Sequence, residues 1–186
     1  MCGNHLRQPH TCGNNEDAFL RKLEIIGFFC VSIPGTLLHF AYEFFHYNFI
    51  VGLFAPVNES TFEHLKLLLY PMLAYSVIEY LILKKKKSTN LNSFLCAKTR
   101  GIISGITSII VLFYTYLGIL GFNVDFINIA IYFIAVMIAF CVSYAFTINK
   151  KKDDHCLLCL FILAVLVILF LIFTIYPVDI GLFRSP

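Results

Sequence analysis

The sequence predicts an all-α integral membrane protein: a bundle of five transmembrane helices with a re-entrant or interfacial loop between the first and second. Three observations predict it. Of 186 residues, 59% are hydrophobic and only 13% charged, against roughly 25% charged in soluble domains. The mean hydropathy is +0.82. The apolar residues also come in long uncharged runs, each bounded by short basic clusters, which is how bilayer thickness and topology are written into a chain. A net charge of +3 would otherwise raise nucleic acid as a partner. The basic residues flank apolar runs instead of forming a stripe, so nucleic acid is excluded and the lipid bilayer is the implied partner.

Taken in order, residues 1–20 are polar and rich in Gly and Asn, and read as a disordered cytoplasmic tail. Cys2, His5, His10 and Cys12 match no zinc-finger spacing. A single domain is expected over 21–180, followed by a short tail at 181–186. The first span, about 23–43, is carried by an uncharged run at 25–42 with Pro34 and Gly35 inside it. Neighbouring helices can satisfy the carbonyls that such a break frees. The uncharged segment 44–58 contains Asn48, Gly52 and Pro56 and is too short and too broken to cross. Ser60 followed by Glu63 fits a capping box, so the second span begins near 60. It runs to 83, a length of about 36 Å at 1.5 Å per residue.

Spans three, four and five are expected at about 101–123, 127–148 and 156–177. Gly101, Ser104, Gly105 and Ser108 make a small-residue packing face on the third. The fifth is almost wholly Leu, Ile, Phe and Val and faces mainly lipid. The seven cysteines imply no disulfide framework, and the CxxC at Cys156 and Cys159 lacks a thioredoxin-like context. Glu79 is expected to pair locally with Lys84 or Arg100. Twelve of the fourteen Lys and Arg residues fall on one side of this topology, leaving Lys66 and Arg184 on the other. The N-terminus is therefore expected in the cytoplasm. The 45–60 loop, the 123–128 turn and the C-terminus are expected together outside.

That outer end carries the chemistry. His39, Glu43 and His46 stand at i, i+4 and i+7, one stripe on a helix. Glu59, Glu63 and His64 open the next span. Imidazole and carboxylate ligands suit one divalent ion such as zinc, manganese or iron, although no HExxH signature is present. Three readings stay open. The cluster is structural or partner-binding, with Asn58, Glu59, Ser60 and Lys66 fixing the loop. Alternatively, it serves a metal-dependent membrane hydrolase, in which His39, Glu43 and His64 hold the ion, His46 is a weaker further ligand, and Glu63 is the general base. The third is a small ion- or proton-coupled transporter, in which a homodimer or membrane-protein partner would supply a second half. The Asn58-Glu59-Ser60 sequon lies at the membrane, and its side chains are assigned to capping.

PVNESTFEHLK at 56–66, together with LLHFAYEF at 37–44, YTYLGILGFNVDFINI at 114–129 and YPVDIGLF at 176–183, resembles a family of small bacterial multi-pass membrane proteins without an assigned function. Phe62 stands where that family's pattern carries Trp. The resemblance implies a bacterial cytoplasmic membrane and adds weight to the outer cluster, but implies no substrate.

Overall fold

The structure, a computed structural model, describes residues 10–86, 90–148 and 156–184, with side chains from residue 16 onward. Among the described residues, six α-helices succeed one another: α1 His10–Phe44, α2 Phe49–Phe54, α3 Thr61–Lys85, α4 Leu91–Leu120, α5 Asp125–Ile148 and α6 Cys156–Ile175, with a 3-10 turn at Gly181–Phe183. All but α2 are long and apolar enough to cross a membrane. The chain is therefore a helical multi-pass membrane protein. No strand occurs among the described residues. Residues 1–9 with Cys2 and His5, the side chains of His10 and Cys12, the Lys150–Lys152 cluster and positions 185–186 lie outside the description.

Several sequence expectations change. Residues 10–20, assigned to a tail, are helical in α1. The physical reason is tertiary: Leu20 and Leu23 are buried against Leu83 and Phe94, with Phe19 and Ile148 packed beside them. Segment 44–58 folds around the short helix α2, started by Asn48, whose side chain accepts the Ile50 amide at 2.9 Å. Cys96 and Cys159 form a disulfide joining α4 to α6, where the cysteine spacing implied none. Cys30 and Cys141 are free and exposed on their helices, consistent with small apolar residues facing lipid.

The core is built where small residues let helices approach. A side chain at Gly101 would meet the Ala139 carbonyl at 2.6 Å, and one at Gly105 would meet Leu68 and Ala139. The expected packing face of α4 thus lies against α5 and α3. Pro71 in α3 lacks the amide that would bond Leu67 O. The Tyr132 hydroxyl from α5 supplies it, donating to Leu67 O at 3.3 Å and to Val31 O of α1 at 3.2 Å. Gly35 leaves room for that hydroxyl. As expected of a helix that faces mainly lipid, α6 buries only Cys159, Leu163 and Phe170.

Candidate functional site

The motif at 56–66 divides into two sets of residues with different work. One set is a latch. The Asn58 side chain accepts the Ser60 amide at 2.9 Å, an Asx turn, and the Ser60 hydroxyl accepts the Glu63 amide at 3.4 Å as the cap of α3. Half of the expected capping box therefore forms. The other half does not: the Glu63 carboxylate reaches past Ser60 to the Val57 amide at 3.0 Å. It also pairs with Lys66 at 2.5 Å, both side chains being buried. Lys66 then donates to Gly52 O at 3.0 Å and Ala55 O at 3.4 Å. Those carbonyls end α2, where a cation complements the helix dipole. The latch thus ties α2 and its flanking loop to α3.

The second set faces outward. His64 donates Nδ1–H to Ser60 O at 2.8 Å and turns Nε2 toward Glu59 Oε2, 3.4 Å away. His39 on α1 places Nε2 3.9 Å from Glu59 Oε1. The two imidazole rings lie with centroids 5.1 Å apart. One ligand atom from each of His39, Glu59 and His64 falls within 4.8 Å of the others. Tetrahedral ligands on a zinc-like ion are about 3.4 Å apart, as bonds of about 2.0 to 2.2 Å require. A contraction of up to about 1.4 Å between ligand atoms would close the group on one ion. Glu59 is exposed and the rings are half-buried.

These three residues form one wall of a cavity of about 640 Å³, which Thr36, Asn123, Asp125, Asn128 and Tyr132 also line. The start of α3 and the α4–α5 turn therefore meet at one end of the bundle, as the topology requires. The Tyr116 hydroxyl lies 2.6 Å from Asn123 Oδ1 and 2.5 Å from Asn128 Oδ1, and Asn128 Nδ2 donates to Asn123 Oδ1 at 2.8 Å. That network fixes the turn. The residues lining the cavity include two carboxylates and two histidines but no Lys or Arg, because Lys66 is held by Glu63 and Arg184 by Asp179.

The expected ligand set is thus only partly assembled. His39 and His64 come together, but Glu43 and His46 are exposed and outside the group. The helical stripe stops at Phe44, and His46 and Tyr47 adopt left-handed φ of 54° and 59°. The Tyr47 amide bonds back to Tyr42 O at 2.9 Å, so His46 belongs to the stop signal of α1. The place expected for Glu43 is taken by Glu59. Glu63, the expected general base, has its carboxylate engaged by Lys66 and the Val57 amide.

A second polar cluster, at the opposite end of α3, escaped the sequence reading. Glu79 pairs not with Lys84 or Arg100 but with Lys98 of α4, at 2.6 Å. Lys98 also binds both oxygens of Glu24 from α1, at 2.9 and 3.0 Å, and Ser143 of α5 donates to Glu24 Oε1 at 3.1 Å. The signal was available: both Glu24 and Lys98 fall within a few residues of an apolar run, close enough to be drawn inside the bundle if the helix began earlier.

A family of unknown function, DUF6512, matches residues 14–186, so the chain belongs to that family. No curated protein and no solved structure matches it.

Proposed function

We propose that this protein binds one divalent metal ion at the mouth of its cavity, with His39, Glu59 and His64 as ligands, and that it acts on or recognises a small ligand there. The observation that carries the proposal is the convergence of His64 Nε2 and His39 Nε2 on the two oxygens of Glu59, at 3.4 and 3.9 Å. With Nδ1–H given to the Ser60 carbonyl, the other ring nitrogen and the Glu59 carboxylate together present two ligand atoms to a cation. A backbone carbonyl on the far nitrogen is also the usual support of a metal-bound imidazole. Cavity charge points the same way, since Glu59 and Asp125 have no Lys or Arg among the lining residues.

Three protein ligands leave a fourth position open toward the cavity, the pattern of zinc sites that bind water or substrate. This keeps the metal-dependent hydrolase reading, with the base role withdrawn from Glu63. We place the cavity end outside a bacterial cytoplasmic membrane, following the lysine and arginine bias of the loops.

Elemental analysis of the purified, detergent-solubilised chain, prepared without chelator and then incubated with zinc and desalted, tests the proposal. Near one zinc per chain is expected in the wild type and in Glu43→Gln, with loss in His64→Ala and Glu59→Gln. Equal zinc in wild type and Glu59→Gln, or none in the wild type, would overturn it.

A further inference from the structure

We infer that Glu24, Lys98 and Glu79 form a buried proton-binding site that holds one exchangeable proton, separate from the metal site. Its four side chains come from four helices: Glu24 from α1, Glu79 from α3, Lys98 from α4 and Ser143 from α5. Their relative exposures are 4%, 0%, 1% and 0%. Glu24 lies fifteen residues before His39, about 22 Å along α1 at 1.5 Å per residue. The two sites therefore occupy opposite ends of the bundle.

Charge counting carries the argument. Two carboxylates converge on one ammonium, at 2.6 Å from Glu79 and 2.9 and 3.0 Å from Glu24. If all three were ionised, the cluster would keep one uncompensated negative charge in the interior of a membrane bundle. Unpaired charge at that depth costs several kcal/mol. Among the described residues, the titratable groups facing the cluster are Glu24, Glu79, Lys98 and Tyr75, whose hydroxyl donates to Leu23 O. Lys98 supplies the cluster's positive charge. The rings of Phe94 and Phe140, centred 5.4 and 5.3 Å from Lys98 Nζ, close its sides. Because Nζ already fills the point where the carboxylates meet, the space suits a proton better than a metal ion.

A second observation says where the proton resides. Both Glu24 oxygens are engaged by Lys98, and one also by Ser143. Both Glu79 oxygens are buried with no hydrogen-bond partner, and Oε2 meets Lys98 as an ion pair at 2.6 Å. A carboxylate oxygen in that state is unsatisfied, and protonating it turns a charged acceptor into a neutral hydroxyl. The step is uptake of one proton by one carboxylate, taking the cluster from one negative charge to none. Glu79 lies six residues from the end of α3 at Lys85, about 9 Å along the axis, so exchange with water is nearest at that end.

The test is infrared spectroscopy of the full-length protein in detergent near neutral pH, reading the carbonyl band of a protonated carboxylic acid in light and heavy water. One such band is expected, and it should shift on exchange into heavy water. Glu79→Gln and Glu24→Gln should each abolish it, because either leaves one carboxylate for one ammonium. Glu43→Gln, at an exposed position outside both clusters, should leave it intact. Two separate variants keep the test open if one fails to fold. Absence of the band from the wild type, its survival in either Gln variant, or no shift in heavy water would overturn the proposal.

Discussion

Removing Lys66 tests the latch on which the outer site is mounted. In Lys66→Met the apolar stem is kept while Nζ is lost, together with its contacts to Glu63 at 2.5 Å, Gly52 O at 3.0 Å and Ala55 O at 3.4 Å. Glu63 is then a buried carboxylate with the Val57 amide at 3.0 Å as its remaining close donor. Removing one partner of a buried ion pair costs about 3 to 5 kcal/mol, because the other charge stays desolvated. The two carbonyls would add about 1 to 3 kcal/mol each if held in place, but their loop can turn toward water once unlatched. The expected loss is therefore about 3 to 5 kcal/mol, a fall in Tm of about 10 °C at 2 to 4 °C per kcal/mol for a chain of this size. Thermal unfolding in detergent, paired with limited proteolysis, reads both the stability and the release of the loop. Cleavage within 45–58 should rise more than elsewhere. Adding Glu63→Gln should restore about half of the loss, since a neutral amide can still accept the Val57 N–H. A Lys66→Met protein melting within about 2 °C of wild type, or a double variant less stable than the single one, would refute this account of the latch.

Further consequences are independent of that one. Tyr132→Phe deletes the hydroxyl that serves Leu67 O and Val31 O; a loss of about 0.6 to 1.7 kcal/mol is expected from interhelical bonds in membranes, readable as a lower unfolding midpoint with unchanged zinc content. Gly35→Ala would drive a methyl into the Tyr132 hydroxyl and the Leu67 carbonyl, so it should destabilise more than Tyr132→Phe and should not be rescued by it, because the carbonyl clash remains. Thiol alkylation in denaturant, with mass spectrometry, should modify Cys30, Cys141 and Cys156 and should spare Cys96 and Cys159 until a reductant is added. Labelling of Cys96 without reductant would show that α6 is held to α4 by packing alone.

The spans were legible because bilayer thickness imposes a length on apolar runs whatever the packing. Helix starts were not, and both errors at the inner cluster have that source. Glu24 stands just before the uncharged run at 25–42, and Lys98 just before the one beginning at 101. Hydropathy marks the run, whereas the helix is set by caps and tertiary partners. Asn90 caps α4 by accepting the Asn92 amide at 3.2 Å, which carries Lys98 seven residues into the helix. At the outer end, His39 and His64 were legible as chemistry out of place. Glu59 reads in the sequence as a loop-fixing residue beside Asn58, Ser60 and Lys66. Its position depends on an Asx turn at Asn58 and on α1 arriving opposite, which no local pattern contains. His46 leaves the stripe for the reverse reason, since the spacing is helical but α1 ends at Phe44, whereas Glu43 stays in α1 with its side chain exposed and outside the group.

The two roles within residues 57–66 explain each other. Glu59 and His64 belong to a turn and a first helical turn that would fray alone, because short helix starts have unpaired amides and exposed backbone. Asn58, Ser60 and Glu63 occupy those amides from inside, and Lys66 anchors the same carboxylate to the end of α2. Aromatic stacking holds the outside: Phe62 stacks on Phe170 of α6 and on Phe183 of the 3-10 turn, with centroids 4.7 and 4.4 Å apart. An aromatic ring at position 62 fits that clamp. The residues left pointing into the cavity are then Glu59 and His64, held against His39 by a frame whose own polar groups are already paired. A binding site of three side chains needs such a frame, because ligand geometry tolerates errors of only about 0.5 Å. On this reading, a change at Lys66 or Phe62 that leaves all three ligands in place should still weaken zinc retention. A change at Glu59 should lose zinc without loosening the fold.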